Sequence, residues 1–239
     1  MLAYTRLEAK AQFRNRDALI WRLGLPAGVY VLLTLVDGET SGSNIGRMVA
    51  MAAFGAVAAG LFATGPSLAQ ERASGWLRQL RTTPMPSRTV VVAKVAVAMA
   101  WVLPSIALVA VMGILLTDIE LDPRSWIELI GLMWIGSAPF AALGVLIGLA
   151  ISDAGAANTA TNFAFIVLWL LGGIFTPAGD MPDVLAGISR KLPSSGILEI
   201  GDSVARGVAV PASAPALLAA WAVASGVLAA LAWRRLGRR

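Results

Sequence analysis

The chain has 239 residues, of which 57% are hydrophobic and 14% charged, with a net charge of +5. Soluble domains are about a quarter charged, so the deficit points to lipid as the main solvent, and the basic excess reads as orientation in a bilayer rather than as a nucleic-acid surface. Cysteine and histidine are absent, which excludes disulfides, thiolate zinc sites and imidazole acid–base or metal chemistry.

Residues 1–17 alternate basic and apolar positions (Leu2, Arg6, Leu7, Lys10, Phe13 and Arg14). That pattern predicts a helix lying along the membrane interface, against the plainer reading of a solvated basic tail. No secretory signal peptide is expected, because this stretch is charged throughout and no convincing small-residue cleavage site follows the first apolar run.

A spanning helix needs roughly 20 mostly apolar residues, and six segments approach or meet that length. They are Ala18 to Val36, Arg47 to Leu68, Val90 to Leu116, Trp126 to Ile151, Asn158 to Phe175 and Pro215 to Trp233. Pro104 and Pro139 lie inside the third and fourth and mark kinks, which neighbouring groups in a membrane bundle can satisfy. Residues 176–214 do not span. Prolines 177, 182, 193 and 211 punctuate apolar runs there, which predicts two short re-entrant helices on the outer face.

Charge on the connections predicts the topology. Arg6, Lys10, Arg14, Arg16 and Arg22 precede or open the first span, Arg72, Arg78, Arg81, Arg88 and Lys94 follow the second, and Arg234, Arg235, Arg238 and Arg239 close the chain. The alternate connections carry Asp37, Glu39, Asp118, Glu120, Asp122, Glu128, Asp180, Asp183, Glu199 and Asp202, with Arg47, Arg124, Arg190, Lys191 and Arg206 as their only basic residues. Both termini are therefore expected in the cytoplasm.

Between the second and third spans, Ala73, Trp76, Leu77 and Leu80 fall at helical spacing on one apolar face. Arg78 and Arg81 lie to one side of it, and Pro84 and Pro86 end it. Two readings of this short amphipathic helix are equally good on physics: a membrane-surface helix with arginines on lipid phosphates, or an element that docks in a groove of a cytosolic partner.

The segment "QERASGWLRQLRTTPMPSRTVVVAK", Gln70 to Lys94, resembles the membrane subunits of the ABC-2 type transporter family. It is similar to the family's E-R-E-x-G-x-L-x-x-L-x-x-x-P, followed by a lysine at the head of the third span. It departs from that pattern at Ala73, where a glutamate is common. "GGIFTPAGDMPDVLAGISRKLP", Gly172 to Pro193, resembles the family's outward loop. The resemblance covers nearly the whole chain. It implies a single all-α membrane domain of six transmembrane helices with an interfacial entry helix (1–17), a cytoplasmic coupling helix (72–83) and an outer re-entrant loop (176–214).

The resemblance also implies that Glu71, Arg72, Trp76, Leu77, Arg78, Leu80 and Arg81 contact a separate ABC ATPase. Two copies of that ATPase would serve two membrane subunits, this chain and a second copy or a similar permease. No G-x-x-x-x-G-K-[ST] phosphate loop occurs in the sequence, so no cofactor is expected in this chain; ATP and Mg would bind the partner.

Gly144 and Gly148 form a G-x-x-x-G that permits close helix approach, with packing inside the bundle expected ahead of a dimer seam. Thr159, Thr161 and Asn162 open the fifth span and are candidates for a translocation path, or simply satisfy the helix start. No charged residue lies near the middle of a predicted span. That disfavours an ion-coupled secondary transporter and suits a hydrophobic or amphipathic cargo. Together with this, the resemblance implies the permease of an exporter for a drug, antibiotic or lipid in a bacterial cytoplasmic membrane. The alternatives are a polysaccharide or lipid-linked glycan permease, a secondary transporter and a membrane immunity protein.

Overall fold

The computed structural model describes residues 23–37, 41–76, 87–117, 119–176, 179 and 181–236. The expected interfacial helix at 1–17 lies outside them, as does most of the 72–83 segment. Helices are the only regular elements among the described residues. In chain order they are α1 (Leu25–Asp37), α2 (Ser41–Ala73), α3 (Ser87–Leu116), α4 (Pro123–Gly136), α5 (Ala138–Ala150), α6 (Ala154–Leu170), α7 (Asp183–Ser189), α8 (Pro193–Ala205) and α9 (Ser213–Leu236).

Among the described residues, four stretches are long and apolar enough to cross a membrane: Asn44–Ala73, Val91–Leu116, Pro123–Ala150 and Ser213–Arg234. They match the second, third, fourth and sixth predicted spans. The fourth is not one continuous helix. Ser137 separates α4 from α5, and its backbone N–H still reaches back to the carbonyl of Trp134. Pro139 falls in the first turn of α5, where its missing N–H costs nothing. The break therefore sits just before the proline rather than around it.

Of the first predicted span, Ala18 to Val36, the residues before Leu23 lie outside the described residues, and the described part holds α1, 13 residues long. α6 has 17 residues, which at about 1.5 Å per residue gives roughly 26 Å against a hydrocarbon core of about 30 Å. α6 starts four residues ahead of the expected Asn158, because the Asp153 carboxylate caps it by accepting from the Ala156 amide at 2.7 Å. It stops at Leu170 because Gly173 turns the chain with φ +87°. Ile174 and Phe175 are apolar but belong to the turn.

α2 is the hub. Every residue from Met51 to Leu61 is buried, so over three turns this helix presents no free face. Its closest neighbour is α5. A Cβ added to Gly144 would lie 2.7 Å from the Leu61 carbonyl oxygen, and one added to Gly148 would lie 2.7 Å from that of Gly65. The G-x-x-x-G is thus a seam inside the bundle, where absent side chains let two backbones touch. Thr64 stitches it by donating to the carbonyls of Gly60 and Ala141. α3 lies on another side of α2. Pro104 removes a backbone donor from α3, and Trp134 Nε1 reaches in from α4 to bond the Met99 carbonyl at 2.8 Å.

The two short helices expected in the outer loop are present as α7 and α8. α8 enters the bundle between α4, α9 and α2, burying Ile197, Ile200 and Val204. Gly201 allows this, since a Cβ there would meet Val49 at 2.5 Å. Trp221 on α9 secures the connection by donating to the Lys191 carbonyl at 2.9 Å.

Candidate functional site

The basic end of the bundle holds a knot of charged groups. Glu71 and Arg72 lie in the last turn of α2, and Lys94 lies two turns into α3. The Lys94 ammonium is fully buried and donates to the Glu71 carboxylate, whose side chain is 21% exposed. Arg72 Nη1 donates to the Leu149 carbonyl at 2.6 Å. That carbonyl is in the final turn of α5, where carbonyls lack helical partners and a cation complements the helix dipole. Three helices are therefore tied at one point by two side chains of α2. Beneath the knot, Leu68, Ala93, Val145, Leu149, Ala229 and Trp233 form an apolar plug that adds α9 to the junction.

Immediately after this anchorage the chain turns. Ser74 and Gly75 follow the helix, with Gly75 at φ +78° and its amide bonded to the Arg72 carbonyl at 3.2 Å. A left-handed glycine is the ordinary helix terminator. Arg72 and Ala73 belong to α2, and the turn at Ser74 and Gly75 separates them from Trp76; the rest of the helix expected over 72–83 lies outside the described residues. Trp76 is 39% exposed. Of the expected partner contacts, Glu71 and Arg72 are engaged within the chain and Trp76 faces outward. Leu77, Arg78, Leu80 and Arg81 lie outside the described residues.

The three polar residues at the start of α6 do not come together. Thr161 is buried, donates to the Ala157 carbonyl at 2.8 Å and fills the space left by Gly65, whose added Cβ would stand 2.6 Å from its hydroxyl. It packs α6 on α2 rather than lining a path through the chain. Thr159 and Asn162 lie on the opposite, exposed face, each bonded to the carbonyl four residues back.

At the end of the bundle away from the knot lies a cavity of about 740 Å³. Leu33 of α1, Val49 and Ala50 of α2, Phe175 and Leu198 supply apolar wall. Arg47, Glu199, Asp202 and Arg206 supply charged lining. Trp169, beside it, meets Phe54 and Phe175 edge to face at 5.8 and 5.3 Å.

Residues 1–200 match the family model described as ABC-2 type transporter. The chain belongs to the ABC-2 type transporter family. A Bacillus subtilis (strain 168) protein named "Putative transport permease YvfS" is 30% identical over 193 residues, which is 78% of this chain and 78% of that one. The chain is thus an ABC-2 type permease, a transmembrane subunit of a family whose permeases generally work with an ABC ATPase.

Family membership gives the knot its place: the segment that carries the resemblance, Gln70 to Lys94, begins and ends on the two residues of the buried ion pair or beside them. Sequence reading noted Lys94 as a span-opening basic residue and missed its pairing. The signal was present, because Lys94 is the one ionised group in an otherwise apolar run from Val90 to Leu116, and such a group needs a counter-charge. The cavity gave no sequence signal at all, since its lining comes from four separate segments.

Proposed function

We propose that this permease is the membrane half of an ATP-driven exporter of a hydrophobic or amphipathic compound, an antibiotic, drug or lipid, in a bacterial cytoplasmic membrane. Two permease copies and two ATPase copies form the working unit, with both termini in the cytoplasm. ATP and Mg bind the ATPase. The 72–83 segment makes the coupling contact, with Trp76 as its apolar anchor and Arg78 and Arg81 at the rim. Thr159 and Asn162 on the exposed face of α6 belong to the route between the two copies.

The observation that carries this reading is the knot at Glu71, Arg72 and Lys94. A helix that only rests on lipid needs no rigid attachment. Here the chain leaves the bundle at a turn whose root is fastened to α3 and α5 at once. A push on the segment after Gly75 would therefore be delivered to three helices together, as a drive from ATPase closure requires. The paucity of charge inside the spans suits an apolar cargo.

The test is co-purification with the ATPase. Aromatic anchors in desolvated pockets often contribute about 2 kcal/mol or more, whereas rim charges mostly tune encounter rate and salt dependence. Trp76→Ala should strip the ATPase from the permease and abolish transport with membrane insertion intact, and Arg78→Ala should act more weakly and depend on salt. A folded, inserted Trp76→Ala permease that keeps its ATPase and its transport would remove the coupling assignment.

A further inference from the structure

α4 and α5 follow one another in the chain but are weakly joined. At Ser137 the helical ladder is interrupted. The Ser137 amide bonds the Trp134 carbonyl at 3.1 Å, and its hydroxyl donates to the same carbonyl at 2.5 Å. Pro139 has no amide hydrogen to give the Ile135 carbonyl, as a continuous helix would. Sharp helix bends occur at such prolines. α4 also meets α5 and α2 only slightly, and its main neighbours are α8 and α3.

At the break, α4 is held by α3. Trp134 Nε1 donates to the Met99 carbonyl at 2.8 Å, and the Ser137 hydroxyl stands 3.5 Å from Met99 Sδ. Both attachments land on one residue. α4 in turn holds α8. Gly201 of α8 is pressed from two sides, since a Cβ there would stand 2.5 Å from Val49 Cγ1 on α2 and 3.1 Å from Met133 Sδ on α4. Met133 is fully buried and precedes Trp134. The far end of α4 is open by comparison, with Ile127 74% exposed and Leu129 the one buried residue before Met133. Val49 and Ala50 of α2 and Leu198 and Glu199 of α8 all line the cavity opposite the knot.

We propose that α4 is a pivoting arm that sets the width of this cavity. Ser137 is the pivot, Trp134 on Met99 is the catch, and Met133 is the clamp that keeps α8 seated on α2. With the catch released, α4 tilts about Ser137, Met133 leaves Gly201, and α8 parts from Val49. A tilt of about 20°, the scale of a helix kink, moves Ile127, about 15 Å along α4 from Ser137, by about 5 Å. The device stands on geometry within the chain and does not need the export reading. If that reading holds, the catch lies about 7.5 Å along α3 from Lys94, so motion of the knot reaches it through α3.

The experiment uses the absence of cysteine. Pairs of cysteines introduced into the full chain in lipid nanodiscs carry spin labels, and their distances are read by pulsed electron resonance. The pairs are Leu35 with Ile127 for α4, Leu35 with Val208 for the end of α8, and Leu35 with Ile166 on α6 as a fixed reference; all four sites are exposed. The parent should give one narrow distance for each pair. Trp134→Phe keeps a ring and removes the N–H donor. It should add a second population, displaced by about 5 Å for Ile127 and displaced also for Val208, with the Ile166 pair unchanged. Adding Pro139→Ala, which returns a donor to the Ile135 carbonyl and stiffens the pivot, should restore the single population. Met133→Ala, which removes the clamp and leaves the catch, should displace Val208 and not Ile127.

Trp134→Phe distances identical to the parent would overturn the catch. Equal broadening of all three pairs would mean general loosening and would overturn the arm. A second population at Ile127 with Val208 unmoved would remove α8 and the cavity from the device. Persistence of that population after Pro139→Ala would place the pivot elsewhere than Ser137 and refute the proposal.

Discussion

Removing one partner of the Glu71–Lys94 pair should destabilise the bundle, and removing both should restore most of the loss. Breaking a buried pair costs about 3–5 kcal/mol, mainly because the surviving charge is left uncompensated. The two sides of this pair are unequal. Lys94 is fully buried and Glu71 is 21% exposed, so the surviving carboxylate in Lys94→Met can draw on water while the surviving ammonium in Glu71→Gln cannot. We expect Glu71→Gln near the full cost, about 3–5 kcal/mol, and Lys94→Met lower, about 2–3 kcal/mol. In a chain of this size that places Lys94→Met roughly 5–10 °C below the parent in apparent Tm. Glu71→Gln/Lys94→Met should recover to within a few degrees, because a neutral pair of similar volume leaves no uncompensated charge buried. The assay is thermal unfolding of the detergent-solubilised chain followed by helical circular dichroism and by loss of the monodisperse elution peak. A double variant as unstable as the worse single, or a Lys94→Met variant that melts with the parent, would refute the electrostatic account. If the double variant is stable and binds the ATPase yet transports poorly, the knot transmits force as well as holding helices together.

Gly144→Ala should cost about 1–3 kcal/mol by overpacking against the Leu61 backbone. Gly131→Ala, where an added Cβ meets nothing within 4 Å, should be neutral or stabilising in the same melt. Asp122 caps α4 and is held below its ordinary value of 3.8, first by the Ser125 hydroxyl and then by the Ser125 amide. Its contribution should be complete above that ordinary value and fade as pH falls through the lower folded one, read as faster hydrogen exchange at the Arg124 and Ser125 amides; Asp122→Ala should show the fast exchange at every pH. Single cysteines at Arg238, Asp122 and Asp183, treated in intact cells with an impermeant thiol reagent, should label at 122 and 183 and not at 238. The reverse pattern would invert the topology. The purified permease without its ATPase should bind no nucleotide, and specific ATP binding by it would contradict the division of labour.

The long helices were legible because hydropathy is a property of a window, and α2, α3 and α9 satisfy it over more than twenty residues each. The end of α6 was not, since Leu171 to Phe175 is as apolar as the helix before it and only the positive φ of Gly173 marks the turn. Gly144 and Gly148 announced a close approach without saying to what, and the receiving surface at Leu61, Thr64 and Gly65 has no signature beyond small size. Arg72 shows the same limit: it donates to the Leu149 main-chain carbonyl, a group that every residue carries. Thr159, Thr161 and Asn162 looked like one polar cluster along the sequence. A helix turns by about 100° per residue, which puts Thr161 inside and the other two outside.

The central position of α2 also bears on how the chain is made. Its tightest neighbour, α5, follows far later in the sequence, and the hydrogen bond from Thr64 to Ala141 joins residues 77 apart. At synthesis rates of about 5–20 residues per second, α2 waits on the order of 4–15 s in the bilayer or the insertion machinery before α5 exists to cover it. During that interval its groove of small residues faces lipid with no partner backbone. The Thr64 hydroxyl is not exposed to that cost, because it also bonds the Gly60 carbonyl of its own helix at 3.1 Å. The same local bond recurs at Ser67, which donates to Ala63. Biogenesis can therefore proceed in chain order, with the polar groups of the future seam sheltered by α2 itself until the second surface arrives.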